Sequence, residues 1–137
     1  LVTLCEALTT AKKAGMDLST TYEAIRISSG NSFVHETESQ VILNGSRDIN
    51  FTMDLVLKDI SLFQAIAERA GVPVEVSPLL IDIFKDGEER YGSREWSSNI
   101  VRRLEDACDT QVIASGFPAE MVDDEPEVSG TEVVARV

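Results

Sequence analysis

The chain has 137 residues, enough for one domain, and 43% of them are hydrophobic, which suits a packed core and argues against disorder. A formal net charge of -12 repels phosphate backbones and anionic lipid, so neither nucleic acid nor a membrane surface is an expected partner. No apolar run approaches the ~20 residues that a membrane-spanning helix needs.

The opening stretch Leu1 to Leu8 lacks the basic start and small-residue cleavage site of a signal peptide. It has no cap and reads as the interior of a helix, which predicts further residues upstream. Apolar positions Leu1, Leu4, Cys5, Leu8 and Ala11 give residues 1 to 14 helical spacing. Gly15 ends that helix. Asp17 or Ser19 can cap the next, whose apolar positions are Leu18, Tyr22, Ile25 and Ala24. Ser28-Ser29-Gly30-Asn31-Ser32 is a break. A third helix carries Phe33, Val34, Val41, Ile42 and Leu43 and ends at Asn44-Gly45.

Residues 45 to 51 form a loop, and Thr52 to Ala70 is the longest unbroken helical pattern, stopping at Gly71-Val72-Pro73. Another helix runs from about Ser77 to Tyr91, with Pro78 tolerated in its first turn. Ser93 is the expected cap of a last helix bearing Trp96, Ile100, Val101, Leu104 and Cys108. Sustained alternation with period two is missing, apart from a short stretch near Val133. The expected fold is therefore all-α, a bundle of about six helices over residues 1-116. Residues 117-137 carry six acids and one Arg. They read as an acidic, solvated tail whose start Phe117, Met121 and Val122 could anchor.

Outside the longest helix, three groups carry side chains capable of chemistry. Cys5 and Cys108 lie far apart outside any CxxC pair, so reduced core thiols are expected. His35 is the only histidine, so no metal site is expected. The Ser28 to Ser32 turn could offer donors to a carboxylate or phosphate, but its plain reading, a capped turn, is preferred.

The helix Thr52 to Ala70 holds the strongest signal. On a wheel of 100° per residue its polar edge is narrow: Asp54, Lys58, Ser61, Ala65, Glu68 and Arg69. A helix apolar over so much of its circumference is expected inside the domain. Asp59 then falls in the apolar arc with Leu55, Phe63 and Ile66. A buried carboxylate there needs a cation, several donors, or a cleft that admits water. A core acid capping another helix and a cleft residue facing a ligand both satisfy that need. Lys58 has two readings as well, a solvated lysine or a cleft cation. No G-x-G-x-x-G or G-x-x-x-x-G-K-S/T loop occurs in the chain.

The run Phe51-Thr52-Met53-Asp54-Leu55-Val56-Leu57-Lys58-Asp59-Ile60, followed by Ala70-Gly71-Val72-Pro73, resembles the β-hydroxyacid dehydrogenase family. That family includes 3-hydroxyisobutyrate dehydrogenases, tartronate semialdehyde reductases and 6-phosphogluconate dehydrogenase-like enzymes. Glu6-Ala7-Leu8, Ala14-Gly15-Met16-Asp17, Tyr91-Gly92 and Trp96-Ser97-Ser98 extend the likeness over residues 1 to 105 in the expected order. Glu95 departs from the Asp usual in the family.

The resemblance implies the all-helical C-terminal domain of an NAD(P)-dependent, cytoplasmic enzyme, with the fold of the 6-phosphogluconate dehydrogenase C-terminal domain. In that enzyme NAD or NADP is bound mainly by an N-terminal Rossmann domain, and the catalytic lysine lies upstream of Leu1. Lys58 would then contact the cofactor, with Phe51, Asp59, Ser29 and Gly30 lining the cleft. Implied partners are a small hydroxy acid, the Rossmann domain and a second copy in a homodimer or larger homo-oligomer. The isolated chain should be inactive. The competing expectation is a non-enzymatic helical dimerisation or scaffold module, and the sequence preceding Leu1 discriminates between the two.

Overall fold

A computed structural model describes residues 1-122. The acidic run Asp123 to Glu127 and the alternation near Val133 lie outside the described residues. Six α-helices follow one another: α1 (Val2–Lys13), α2 (Leu18–Arg26), α3 (Phe33–Asn44), α4 (Met53–Ala70), α5 (Val76–Tyr91) and α6 (Arg102–Cys108), with a 3-10 segment (Ser97–Val101) entering α6. Among the described residues the only β pairing is two isolated bridges, Asp48 with Glu120 and Thr52 with Trp96. The all-α bundle of about six helices read from the periodicity is the fold.

Helix boundaries follow local chemistry. Asp17 caps α2, its carboxylate accepting from the Thr20 backbone N–H at 2.8 Å. Ser32 caps α3 through the His35 N–H. α4 ends in a Schellman turn: Gly71 sits at φ 68, and Val72 N–H reaches back to the Ala67 carbonyl at 2.9 Å.

The core lies where α1, α3 and the 3-10 segment meet. Leu8, Ile42, Leu43, Met53, Val101 and Val112 are fully buried. Each such aliphatic side chain contributes about 1.5–3 kcal/mol relative to its exposed form. Val112 arrives on an extended segment after α6, fixed by a bond from Ala114 N–H to the Leu43 carbonyl (2.9 Å). The chain then brings Phe117 edge-on to Tyr22, 5.1 Å between centroids, and Asn44 donates to the Phe117 carbonyl. Phe117 therefore anchors this stretch, while Met121 and Val122 remain substantially exposed. Ala24 and Phe33 are exposed as well, unlike their apolar companions in α2 and α3.

Two expectations are corrected. Ser93 caps no helix, and Trp96 precedes the helical region altogether. Tertiary pairing prevails here, because residues 93-97 run beside the start of α4. Ser93 and Glu95 carbonyls accept from Asp54 N–H (3.1 Å) and Met53 N–H (3.0 Å), and Ser97 N–H donates to the Phe51 carbonyl (2.7 Å). Second, α4 does not sit inside the domain. Only Met53 and Ala67 of its residues are buried. α4 packs chiefly on α5, and α5 joins the rest mainly through the 3-10 segment. The two helices form an antiparallel hairpin rooted in the core by Met53, Leu57, Phe84 and Gly87, with its far half projecting.

Candidate functional site

The start of α4 is held from three sides. Thr52, in extended conformation, occupies the N-cap position, but its hydroxyl donates to the Asp54 carboxylate rather than capping. Backbone carbonyls of Ser93 and Glu95 take over the orphan N–H groups. The Thr52 hydroxyl, and after it Arg94 at 3.0 Å, hold the Asp54 carboxyl below the usual carboxylate range.

The loop leading into α4 is fixed by a buried ion pair. Arg47 adopts φ 62, an uncommon conformation for a residue with a side chain. Its guanidinium reaches Glu105 at 2.7 Å and the Ile42 carbonyl at 2.5 Å. Glu105 also accepts from Val112 N–H, and Ser98 donates to the Arg47 carbonyl. Burial draws the Arg47 pKa down, and the Glu105 carboxylate opposes that shift. This network, not singled out from the sequence, sets where Phe51 enters the site.

Beside Phe51 lies an apolar groove of about 400 Å3 between α4 and α5. α4 contributes Val56 and Ile60, and α5 contributes Val76, Leu80 and Phe84. Leu1, at the N-cap of α1, and Val2 in its first turn also line it. Among the described residues the one ionisable side chain in its wall is Glu38 of α3, whose Oε2 is shielded and has no hydrogen-bond partner there. Burial pushes the Glu38 pKa up to about 7. Sequence reasoning missed Glu38, since one acid among the polar residues of α3 gives no sign of which way it faces.

The residues singled out from the sequence are only partly brought together. Phe51 lines the groove. Lys58 and Asp59 do not; they pair with each other at 3.1 Å, with 58% and 55% of their side chains exposed. The expectation of an Asp59 in a buried apolar arc is thus corrected. Its neighbours Phe63 and Ile66 are themselves exposed, so no desolvation has to be offset. Ser29 and Gly30 sit in an exposed turn away from the groove, where Gly30 N–H donates to the Ser28 hydroxyl and that hydroxyl donates to the Ile25 carbonyl.

His35 is a core residue. Its Nε2 donates to the Tyr22 carbonyl, which assigns Nδ1 as acceptor from Ser39. Cys5 is buried, which pushes its thiol up to about 12, and Cys108 is half-buried; both are free. Among the described residues no group of His, Cys, Asp and Glu is arranged to hold a metal ion, and no helix is long and apolar enough to cross a membrane.

Comparison with known proteins places this arrangement. Residues 1–104 match the family model described as NAD-binding of NADP-dependent 3-hydroxyisobutyrate dehydrogenase. The chain is 30% identical over 103 residues to 2-(hydroxymethyl)glutarate dehydrogenase of Eubacterium barkeri, covering 74% of this chain and 34% of that protein. It is 28% identical over 102 residues to an uncharacterized oxidoreductase of Shewanella frigidimarina, covering 74% and 35%. With L-threonate dehydrogenase of Escherichia coli it shares 22% over 97 residues, covering 71% and 32%. The chain thus spans about a third of the length of the curated relatives it matches.

Proposed function

The chain belongs to the 3-hydroxyisobutyrate dehydrogenase family, and from that premise we propose that it is the helical, substrate-binding and dimer-forming domain of an NAD(P)-dependent hydroxyacid dehydrogenase. The whole enzyme transfers a hydride between the nicotinamide and a small 3-hydroxy acid. Two relatives carry names that specify hydroxylated carboxylates, 2-(hydroxymethyl)glutarate and L-threonate, which supports that substrate class. The short span of the match supports a division of labour, in which a Rossmann domain binds most of the dinucleotide. This chain has no glycine-rich phosphate loop of its own.

One observation carries the reading: Lys58 stands on the firmly held first half of α4 and Phe51 just before that helix begins, both exposed. The ion pair of Lys58 with Asp59 is solvent-exposed, and such pairs contribute only about 0–1 kcal/mol. An anionic cofactor can therefore draw the ammonium from Asp59 at little cost. Phe51 and Asp59 flank Lys58 in this proposal, while Ser29 and Gly30 would face the ligand only from a separate, exposed turn away from the groove. The bound nicotinamide supplies the redox chemistry, and the protein supplies orientation and charge.

In the full-length enzyme, Lys58→Ala should raise the cofactor KM about tenfold, corresponding to ~1.4 kcal/mol, with a smaller change in kcat. An unchanged KM would remove Lys58 from the site. The isolated chain should show no turnover with NAD or NADP and hydroxy acids, and measurable turnover would refute the division of labour. The -12 charge supports partners other than nucleic acid or membrane.

A second reading, a helical dimerisation or scaffold module without redox activity, is favoured by the exposed apolar residues of the α4–α5 hairpin. Dehydrogenase activity of the longer protein decides between the two.

A further inference from the structure

The groove between α4 and α5 has walls built for a helix. Val56 and Ile60 are one turn apart on α4, and Val76, Leu80 and Phe84 repeat the same spacing on α5. Phe63 continues the α4 face one turn beyond Ile60 and is 55% exposed, while Val76 is 63% exposed. Two such ridges leave a channel that a third helix fills by ridges-into-grooves packing. A small polar ligand needs several convergent hydrogen-bonding groups. Among the described residues the polar ones in the wall are Thr3, Glu38 and Ser97.

Glu38 defines the charge of the occupant. Glu38 lines this apolar space, its Oε2 has no donor among the described residues, and an unpaired shielded carboxylate is costly. A lysine or arginine carried on an apolar helix face would satisfy it and remain satisfied itself. Such a partner also complements the -12 charge of the chain.

We propose that this groove is a docking site for an apolar-faced α-helix that delivers one basic side chain to Glu38, and that the nucleotide-binding half of the enzyme presents that helix. The choice of partner rests on the two-domain reading above. The recognition is helix-in-groove, with anchors at i, i+4 and i+7.

The test uses this chain and a synthetic helical peptide with leucines at i, i+4, i+7 and i+11 and one lysine on the same face. Trp96, the only tryptophan and the neighbour of the groove residue Ser97, reports binding by its fluorescence. Saturable binding is expected. Replacing the peptide lysine by glutamine, or Glu38→Gln in the protein, should each weaken it about tenfold. The two changes together should weaken it no further. Val76→Asp should abolish binding without unfolding the chain, since an exposed Asp in the first turn suits a helix N-terminus.

No saturable response, or equal affinity for the lysine and glutamine peptides, overturns the proposal. So does a dimer of the wild-type chain that Val76→Asp converts to monomer in sedimentation, because a second copy then occupies the groove. Dehydrogenase activity of the longer protein is assayed separately. Activity with no peptide response defeats the groove alone. A peptide response without activity defeats the enzyme reading, and with it the assignment of the helix to a nucleotide-binding half.

Discussion

The bundle of α1, α2, α3 and α6 and the α4–α5 hairpin are equally helical and comparably apolar, yet they spend their apolar residues differently. In the bundle, Leu8, Ile42, Leu43 and Val101 are fully buried. In the hairpin, Leu62, Phe63 and Ile66 are each more than half exposed, as are Val72, Val76 and Leu79. Helical amphipathicity reports which residues are apolar, and a neighbour is needed before that becomes burial. The bundle has its neighbours within the chain. The far half of the hairpin leaves these apolar side chains open to solvent, as interaction surfaces do.

The largest expected effect breaks the bundle side of this contrast. Glu105→Ala should destabilise the domain by about 3–5 kcal/mol, because it leaves the Arg47 guanidinium buried without its counter-charge. Urea unfolding measures it. A loss below about 1 kcal/mol would mean that water reaches Arg47 and that the loop is held by other contacts.

Next is the junction of the two regions. A Cβ added at Gly87 would lie 2.6 Å from Ile100 Cδ1 and 3.3 Å from Met53 Sδ. Gly87→Ala should therefore cost about 1–3 kcal/mol by overpacking. A gain in thermal midpoint would show that α5 moves freely against the 3-10 segment.

The third effect depends on pH. The folded state raises the pKa of Glu38 from 4.5 to about 7, so it binds the proton more tightly than the unfolded chain does. The contribution of this group to stability is then fully present below about 4.5, falls as pH rises towards about 7, and is level above that. Subtracting the pH profile of Glu38→Gln from that of the wild type isolates the slope. A flat difference over that window would place Glu38 in water.

Smallest is the hairpin tip. Phe63→Ser should change the stability of the isolated chain by no more than about 0.5 kcal/mol. A loss of several kcal/mol would mean that Phe63 is already covered, by another copy or by another part of the protein.

How much of this was legible before the structure depends on how local each feature is. The ends of α1 through α5 were readable to within a residue or two, because Asp17, Ser32, Gly45 and Gly71 act on their own backbone neighbours. The likeness of residues 51-73 to hydroxyacid dehydrogenases was readable for the same reason, being a pattern along the chain. The boundary near Ser93 was misplaced because the carbonyls of Ser93 and Glu95 serve a helix some forty residues earlier. Arg47 and Glu105 escaped notice because each finds its partner far along the chain, and Glu38 because the walls that shield it come from other helices.

Asp59 shows the division most sharply. The sequence by itself determined that it stands between apolar residues on a long helix. Only the tertiary structure decided that those residues face outward, so that Asp59 pairs with Lys58 in solvent. The physical reason is that periodicity is set by backbone geometry within one helix, whereas burial requires a second surface. The groove and its orphan carboxylate exist only once α1, α3, α4 and α5 have come together.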